Sequence, residues 1–409
     1  AYTNKVPTGQ MRAYGNQTAN YAYETLLDMA ARRLGMDPLE LRLKNCIGPG
    51  DISVHGLEIK SCNLAQCFKT AAAAVGWDRK KPGRGYGISG AIHANGSVVA
   101  HKDFRGAAAV IRLEEDGKFT LFTGEQDYGQ GTHTVFAQIA ARVLNISPQD
   151  ITVYSKDTAV IPYSQGAFAM RQTTIGGHAV RLAAEDLKQK MAGLAAELLG
   201  AEAELSGAVF RTPGGAELSL SEIAYQWRCR HNGLAMTGEG NYNPPGSAYD
   251  SSGYGNIAVT YSFAAHAAEV EVDPQTGALT IHKIVAVHDS GKIINYTTAL
   301  GQVFGGVTQG LGYSCFEGYL FDGGRVLNPD FATYQLPTAL DVPPIEPLFI
   351  DSEDPEGPFG AKGLGEIVQV PLLGALSCAV ADAIGTPVTS LPMTAEKIYR
   401  AAAGKECLE

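Results

Sequence analysis

The chain has 409 residues, 45% of them hydrophobic and 18% charged, and carries a formal net charge of −10. That length and apolar content call for two or three packed cores rather than one. The acidic balance argues against nucleic acid or an anionic membrane as a partner, and no run approaches the roughly 18–20 apolar residues that span a bilayer.

Residues 19–36 have helical apolar spacing that stops at Gly35, and Asp37-Pro38 starts a short second helix, DPLELRLKN. A third helix is predicted over 64–76, capped by Asn63. The polar, Pro/Gly-rich segment KKPGRG at 80–85 is the predicted linker. Beyond it, residues 86–93 read as a strand, and AAAVIRLEEDGKFTLFTG reads as a hairpin turning at Asp116-Gly117. A helix at about 131–144 and the strand ITVYS follow, then a long Ala/Leu-rich helix over 177–200. Residues 207–218 form a small strand pair, and Ser221 caps a short helix at 222–227. The Gly/Asn/Tyr-rich stretch 232–256 reads as a long loop. A second hairpin, AHAAEVEVDPQTGALTIHKIVAVHD, turns at 273–277. A helix at about 298–311, a Gly-rich loop at 357–366 and a helix at about 371–384 complete the pattern. Strands and helices mix without regular βαβ alternation, which predicts an α+β fold of mixed sheets and packed helices, with loops facing a shared cleft.

Four Gly/Gln-rich segments stand out. They run from Pro7 to Gln17, from Gly124 to Thr132, from Gly166 to Thr174 and from Gly357 to Glu366. Each joins flexible backbone to amide or charged side chains just before a helix. Helix starts with free N–H groups suit an anion such as phosphate, and glutamine, which donates and accepts, suits a heterocycle with mixed edges. Taken singly each is an ordinary turn; together they favour a ligand site.

Glu366 has two readings. It is a helix-start carboxylate offsetting the macrodipole, or a general base held by glycine turns, with burial raising its pKa toward working pH. Lys362 is a solvated charge or a partner for an anion. Gly363-Leu364-Gly365 is no dinucleotide fingerprint, because no strand leads into it and the third glycine is absent. His282 and His288 lack an acidic or cysteine partner at ligand spacing, so no metal site is predicted there. His133 reads as a helix-start residue.

The seven cysteines, an odd number without a CxxC, read as reduced thiols of a cytoplasmic protein. Cys62 and Cys67 have the spacing that opens a plant-type iron–sulfur motif, but no third cysteine follows, so any clusters lie elsewhere. Ala1 begins mid-pattern, which reads as a fragment or a processed subunit.

These segments, in this order, resemble the molybdenum-cofactor subunit of molybdenum hydroxylases, the xanthine dehydrogenase and aldehyde oxidase family. The likeness runs along essentially the whole chain and covers the carboxy-terminal half or slightly more of such a subunit. It implies that residues 1–80 are the end of a first molybdopterin-binding domain. Residues 86–405 would be a second, in two α+β subdomains at about 86–255 and 256–405. The family's Gly-x-Gly-Glu loop carries the catalytic base, which Glu366 matches. Arg12-Ala13-Tyr14-Gly15 mirrors its Arg-Gly-Phe-Gly stretch, which makes Arg12 a catalytic and substrate-binding residue. The pterin-binding Gly-Gln-Gly turn is matched by Gly129, Gln130 and Gly131, beside Tyr128. A cofactor-holding stretch is matched by Ala167, Phe168, Ala169, Met170 and Gln172; alanine, methionine and glutamine there replace hydroxyl residues at 167, 170 and 172. Gln302 matches a glutamine that contacts the metal oxo group or the pterin, and Tyr261-Ser262 match an aromatic-plus-hydroxyl pair lining the substrate site.

The resemblance further implies molybdopterin, in its mononucleotide or cytosine dinucleotide form, with molybdenum held by the pterin dithiolene and by no protein side chain. A [2Fe-2S] centre and FAD would reside on partner subunits or domains, and the full complex would be a dimer. The implied reaction is hydroxylation of an N-heterocycle such as a purine, or of an aldehyde, with water as the oxygen source. The alternatives are a reductive aryl-CoA member resembling 4-hydroxybenzoyl-CoA reductase, or a non-catalytic assembly protein of the same fold.

Overall fold

The computed structural model describes residues 2–97 and 104–405, so Cys407 lies outside the described residues. Glycine punctuates its first helices. α1 (Asn16–Leu34) ends at Gly35 in the left-handed conformation, and Asp37 caps α2 (Pro38–Lys44) by accepting from the Leu39 and Glu40 N–H groups. α3 (Leu64–Val75) follows. β1 (Gly85–Asn95) leads to the hairpin β2 (Ala107–Leu113) and β3 (Phe119–Thr123), then to α4 (Thr132–Leu144) and β4 (Ile151–Tyr154). α5 (Gly177–Leu199) precedes a small sheet of β5 (Glu204–Ser206), β6 (Val209–Arg211) and β7 (Glu217–Ser219). Next come α6 (Leu220–Arg230), β8 (Thr237–Tyr242) and the long hairpin of β9 (Thr260–Val272) and β10 (Leu279–Asp289). α7 (Tyr296–Leu311) is followed by the short pair β11 (Phe321–Asp322) and β12 (Arg325–Val326), then β13 (Ile345–Phe349), α8 (Val370–Ile384) and α9 (Ala395–Ala402).

Two four-stranded sheets organise the molecule, in the orders β1-β9-β10-β13 and β4-β3-β2-β8. Pairing is antiparallel except for β10 with β13 and β3 with β4. The first sheet is buried on both faces, by α7 and α8 on one side and α3 on the other; the second packs on α4 and α5. α8 is apolar on every side and buried along nearly its whole length, as a helix inside a core must be.

Glycine allows direct helix-on-strand contact twice. A Cβ on Gly238 or Gly240 would collide with the Ala183 or Ala179 carbonyl of α5, and one on Gly85 or Gly87 would collide with the Ala379 or Ala375 carbonyl of α8. This explains one departure from expectation. Residues 237–242 lie inside the predicted long loop yet form β8, because the glycines that suggest a loop are what let α5 lie flat on the strand.

Three further expectations change. Ser219, not Ser221, caps α6, its side chain accepting from the Glu222 N–H. β13 and α9 were not foreseen. The segment 80–85 is anchored rather than free: Lys80 pairs with Asp382 of α8 at 3.3 Å and Lys81 with Glu269 of β9 at 2.9 Å, while α2 and α3 pack on the sheet that contains β1 and α1 lies against α8. The helices, the two hairpins and the mixed sheets otherwise agree with the sequence reading, and the fold is α+β. No described helix is long and apolar enough to cross a membrane, and the six described cysteines are free thiols.

Candidate functional site

All four Gly/Gln-rich segments converge on one cleft of about 650 Å³. Its wall takes Arg12 and Tyr14 from the loop before α1, Tyr128 to Gln130 from the turn before α4, and Ala167, Phe168, Met170 and Gln172 from the third segment. α7 contributes Gln302 and Gln309, and the loop 361–366 brings Glu366.

The loop carrying Glu366 is tied at Lys362, Gly363 and Gly365. Lys362 Nζ, with no exposed side-chain surface, lies 3.2 Å from Asp289 Oδ2 and 3.2 Å from the Ser61 carbonyl oxygen. Gly363 donates its N–H to Asn95 Oδ1 at 2.6 Å and accepts from Ser262 Oγ at 2.6 Å. The Gly365 carbonyl accepts from Arg12 Nε. A Cβ on Gly363 would meet Met170 Cβ at 2.5 Å, so only glycine passes between the strand β1 and the third segment.

Glu366 itself is nearly buried, with 12% of its side chain exposed. Its Oε1 accepts from the Ala169 N–H at 2.9 Å. Ala169 and Met170 are both left-handed, at φ 46° and 52°, a conformation that costs on the order of 1 kcal/mol per residue for side chains of this kind. The strain is held by Gly96, whose N–H bonds the Ala169 carbonyl at 2.5 Å, and by the buried Arg171, whose Nη1 lies 2.5 Å from Glu125 Oε1. On the far side of the carboxylate, His93 Nε2 lies 2.8 Å from Oε2.

Arg12 spans the cleft floor. Besides Gly365, its guanidinium donates to Gln309 Oε1 at 2.9 Å and to Gln302 Oε1 at 3.0 Å. Burial pulls its pKa below the ordinary arginine value, against the opposing pull of the Glu366 charge. Burial and the same charge push the Tyr14 and Tyr128 phenols upward. A second amide cluster sits opposite: Gln130 Nε2 and Thr132 Oγ1 donate to Gln172 Oε1 at 2.6 and 2.9 Å, and Gln172 Nε2 donates to the Gln126 carbonyl at 2.7 Å. Gln172 opens a π turn, Gln172–Gly176, a distortion frequent at functional sites.

Three expected site residues lie elsewhere. Tyr261 is 2% exposed in a separate apolar cluster, its hydroxyl bonded to Asn256 at 2.8 Å, and it does not line the cleft. Ser262 is fully buried and reaches the site only through Gly363. Alternation along β9 turns Tyr261 and Ser262 to opposite faces of the sheet, so they cannot form one lining pair. Ala169 is buried and holds Glu366 through its N–H rather than lining the wall. Lys362 is not solvated; the anion it meets is the buried Asp289 carboxylate rather than a ligand in the cleft. Sequence reasoning missed His93, Asn95 and Gln309. His93 and Gln309 sit in elements that were recognised and Asn95 two residues past the predicted strand, but only the pairing of β1 with β9 and the position of α7 bring them to the site.

Residues 61–343 and 1–46 match the family described as molybdopterin cofactor-binding domain. The chain is 32% identical over 413 residues to the putative xanthine dehydrogenase molybdenum-binding subunit of Escherichia coli strain K12, covering 97% of this chain and 54% of that protein. It is 31% identical over 423 residues to the gamma subunit of the 6-hydroxypseudooxynicotine dehydrogenase complex of Paenarthrobacter nicotinovorans, covering 97% and 52%. Among solved structures, the aldehyde oxidoreductase from Desulfovibrio gigas superposes with a TM-score of 0.81 at 27% identity, covering 96% of this chain and 41% of that one. A Cu,Mo-CO dehydrogenase superposes with a TM-score of 0.82 at 27% identity, covering 96% and 52%.

The fold and cleft thus define a molybdopterin cofactor-binding segment. The chain belongs to the molybdenum hydroxylase family of xanthine dehydrogenase and aldehyde oxidoreductase type, and it spans about half the length of the curated relatives it matches. The cleft suits that cofactor. A Cβ on Gly129 or Gly365 would meet no protein atom within 4 Å, so both glycines border space the chain leaves open. The N–H groups of Ala167, Phe168, Leu364 and Gly365 donate to no protein acceptor among the described residues, as an incoming pterin or phosphate requires. The donors are amides and backbone groups, the set that recognises a heterocycle carrying its own metal ligands.

Proposed function

We propose that this chain forms the Glu366-bearing part of the catalytic site of a hydroxylase acting on an N-heterocycle, such as a purine, or on an aldehyde. The observation that carries this reading is the Glu366 carboxylate, nearly buried in the cleft, fixed at Oε1 by the Ala169 N–H and left without an arginine or lysine partner among the described residues. A carboxylate bound to a permanent guanidinium or ammonium charge is a poor proton acceptor; one held by a backbone N–H, with only an imidazole on its far side, is suited to general-base work.

In this reading Glu366 accepts the proton of a water-derived nucleophile in the cleft. Arg12 and Gly363 keep the loop in register, which is the orientation that lets a base act at short range. Gln130, Gln172, Gln302 and the backbone at 167–168 would hold the cofactor, and Arg12 and Tyr14 would border the substrate. The molybdenum cofactor, when bound, supplies the two-electron acceptor for the oxidation. Electrons would pass to iron–sulfur and FAD partners, with the other part of the molybdopterin-binding subunit completing the cleft.

The test is Glu366→Gln in the full-length subunit within its complex, with metal and pterin content measured beside turnover of purines, nicotinate-type heterocycles and aldehydes. Loss of turnover with cofactor retained supports the reading. Unchanged turnover overturns it.

A further inference from the structure

Behind Glu366 stands a histidine that belongs to none of the four segments. His93 lies near the end of β1 and is 5% exposed. Its Nδ1 is 3.1 Å from the Ala94 carbonyl oxygen. A carbonyl can only accept, so Nδ1 carries hydrogen. Its Nε2 is 2.8 Å from Glu366 Oε2. The approach is close but off the axis of the ring N–H, and neither atom, both buried, makes an aligned hydrogen bond to any other group among the described residues.

Two unprotonated atoms cannot rest at that distance away from water, because their lone pairs would face each other undischarged. A single proton between them removes the conflict, whether drawn as imidazolium with carboxylate or as imidazole with carboxylic acid. We infer that His93 shares one proton with Glu366 and is a positioning residue for the base, fixing Oε2 as the Ala169 N–H fixes Oε1. This rests on the assignment of Glu366 as the base. The other groups that feel the Glu366 charge are Arg12, Tyr14 and Tyr128, and none of them hydrogen-bonds to either carboxylate oxygen. His93 does not line the cleft, so its effect reaches the reaction only through Glu366.

The pair has a chemical consequence. The proton that Glu366 takes up is then the second on the pair, leaving His93 as imidazolium beside a carboxylic acid until that proton departs. His93→Gln preserves size and one N–H but cannot take up a proton.

The experiment uses the full-length subunit in its native complex. His93→Gln is expected to lower kcat at least tenfold, with KM within twofold of wild type and cofactor content unchanged. A second readout is independent of turnover. In protein labelled with ¹⁵N-histidine, with the His93 signal assigned by its absence in His93→Gln, the Nε2 resonance is expected to move between wild type and Glu366→Gln. Wild-type kcat in His93→Gln, or an Nε2 resonance indifferent to Glu366→Gln, would overturn the inference. If Glu366→Gln itself turns over normally, the base assignment fails instead, and the two failures are told apart.

Discussion

Lys362 and Asp289 form an ion pair with no exposed side-chain surface on either partner, Nζ to Oδ2 at 3.2 Å. Asp289 ends β10 and also accepts from the Asn63 N–H at 2.7 Å and from Ser352 Oγ at 2.6 Å. The pair therefore joins the sheet, the start of α3 and the loop that carries Glu366 four residues on. Its weight lies in what its loss exposes.

Removing one partner leaves a buried charge without compensation, at a cost of about 3–5 kcal/mol. Lys362→Met is expected to lower the denaturation midpoint by a corresponding amount, and Lys362→Met combined with Asp289→Leu to recover part of it. A denaturant titration of the three proteins measures this. A double variant less stable than the single one by the full second penalty would show that the two charges do not act as a pair.

Glu366→Gln keeps size and polarity and deletes the base. A positioned general base contributes about 100- to 10,000-fold, and kcat is expected to fall within that range while molybdenum and pterin content stay at the wild-type level. Steady-state kinetics beside metal analysis decides the point.

Gly363→Ala should disable the site without touching a catalytic group. The added Cβ would contact Met170 Cβ at 2.5 Å and press on Asn95, and overpacking of that kind costs about 1–3 kcal/mol. The expected outcome is reduced cofactor retention and turnover with near-normal overall secondary structure by circular dichroism. Full cofactor content and activity would show that the loop has room the geometry denies it.

His288 gives an acid-side signature. Complete burial pushes its pKa down from 6.5 to about 3, and burial with His288 nearby pushes His266 well down too. The unfolded chain binds a proton at His288 below about pH 6.5 while the folded chain does not. Stability contributed by the neutral imidazole is thus present above that pH and falls as pH drops toward 3, by about 1.4 kcal/mol per pH unit for this one group. His288→Phe should flatten the acid limb of a plot of unfolding free energy against pH. An unchanged slope would mean that the ring is not held neutral.

Arg12 offers a test of role. Its three side-chain bonds run to Gly365, Gln302 and Gln309, all within the protein. Lysine cannot reproduce that planar fork. If Arg12 works through the loop, Arg12→Lys lowers kcat for every substrate alike, by roughly tenfold for each 1.4 kcal/mol lost. A rise in KM confined to one substrate class would instead mark it as a recognition residue.

What the amino-acid sequence determined by itself was local and periodic. Glycine stops, the Asp37 cap, alternating strands around Asp116-Gly117 and helical apolar spacing specified most elements, because each signal acts over a few residues. The four Gly/Gln-rich segments were legible for the same reason, and their order pointed to the family. Tertiary structure decided what is set by contacts between distant residues. β8 could not be read because its glycines act against α5, a helix 38 or more residues earlier in the chain. Lys362 could be told from a solvated charge only when Asp289 was placed beside it. Tyr261 turned away from the cleft because register along β9 decides which face a residue takes. The partner of Glu366 was hidden most deeply: 273 residues separate it from His93, and only the folding of β1 against the loop before α8 sets the imidazole against the carboxylate.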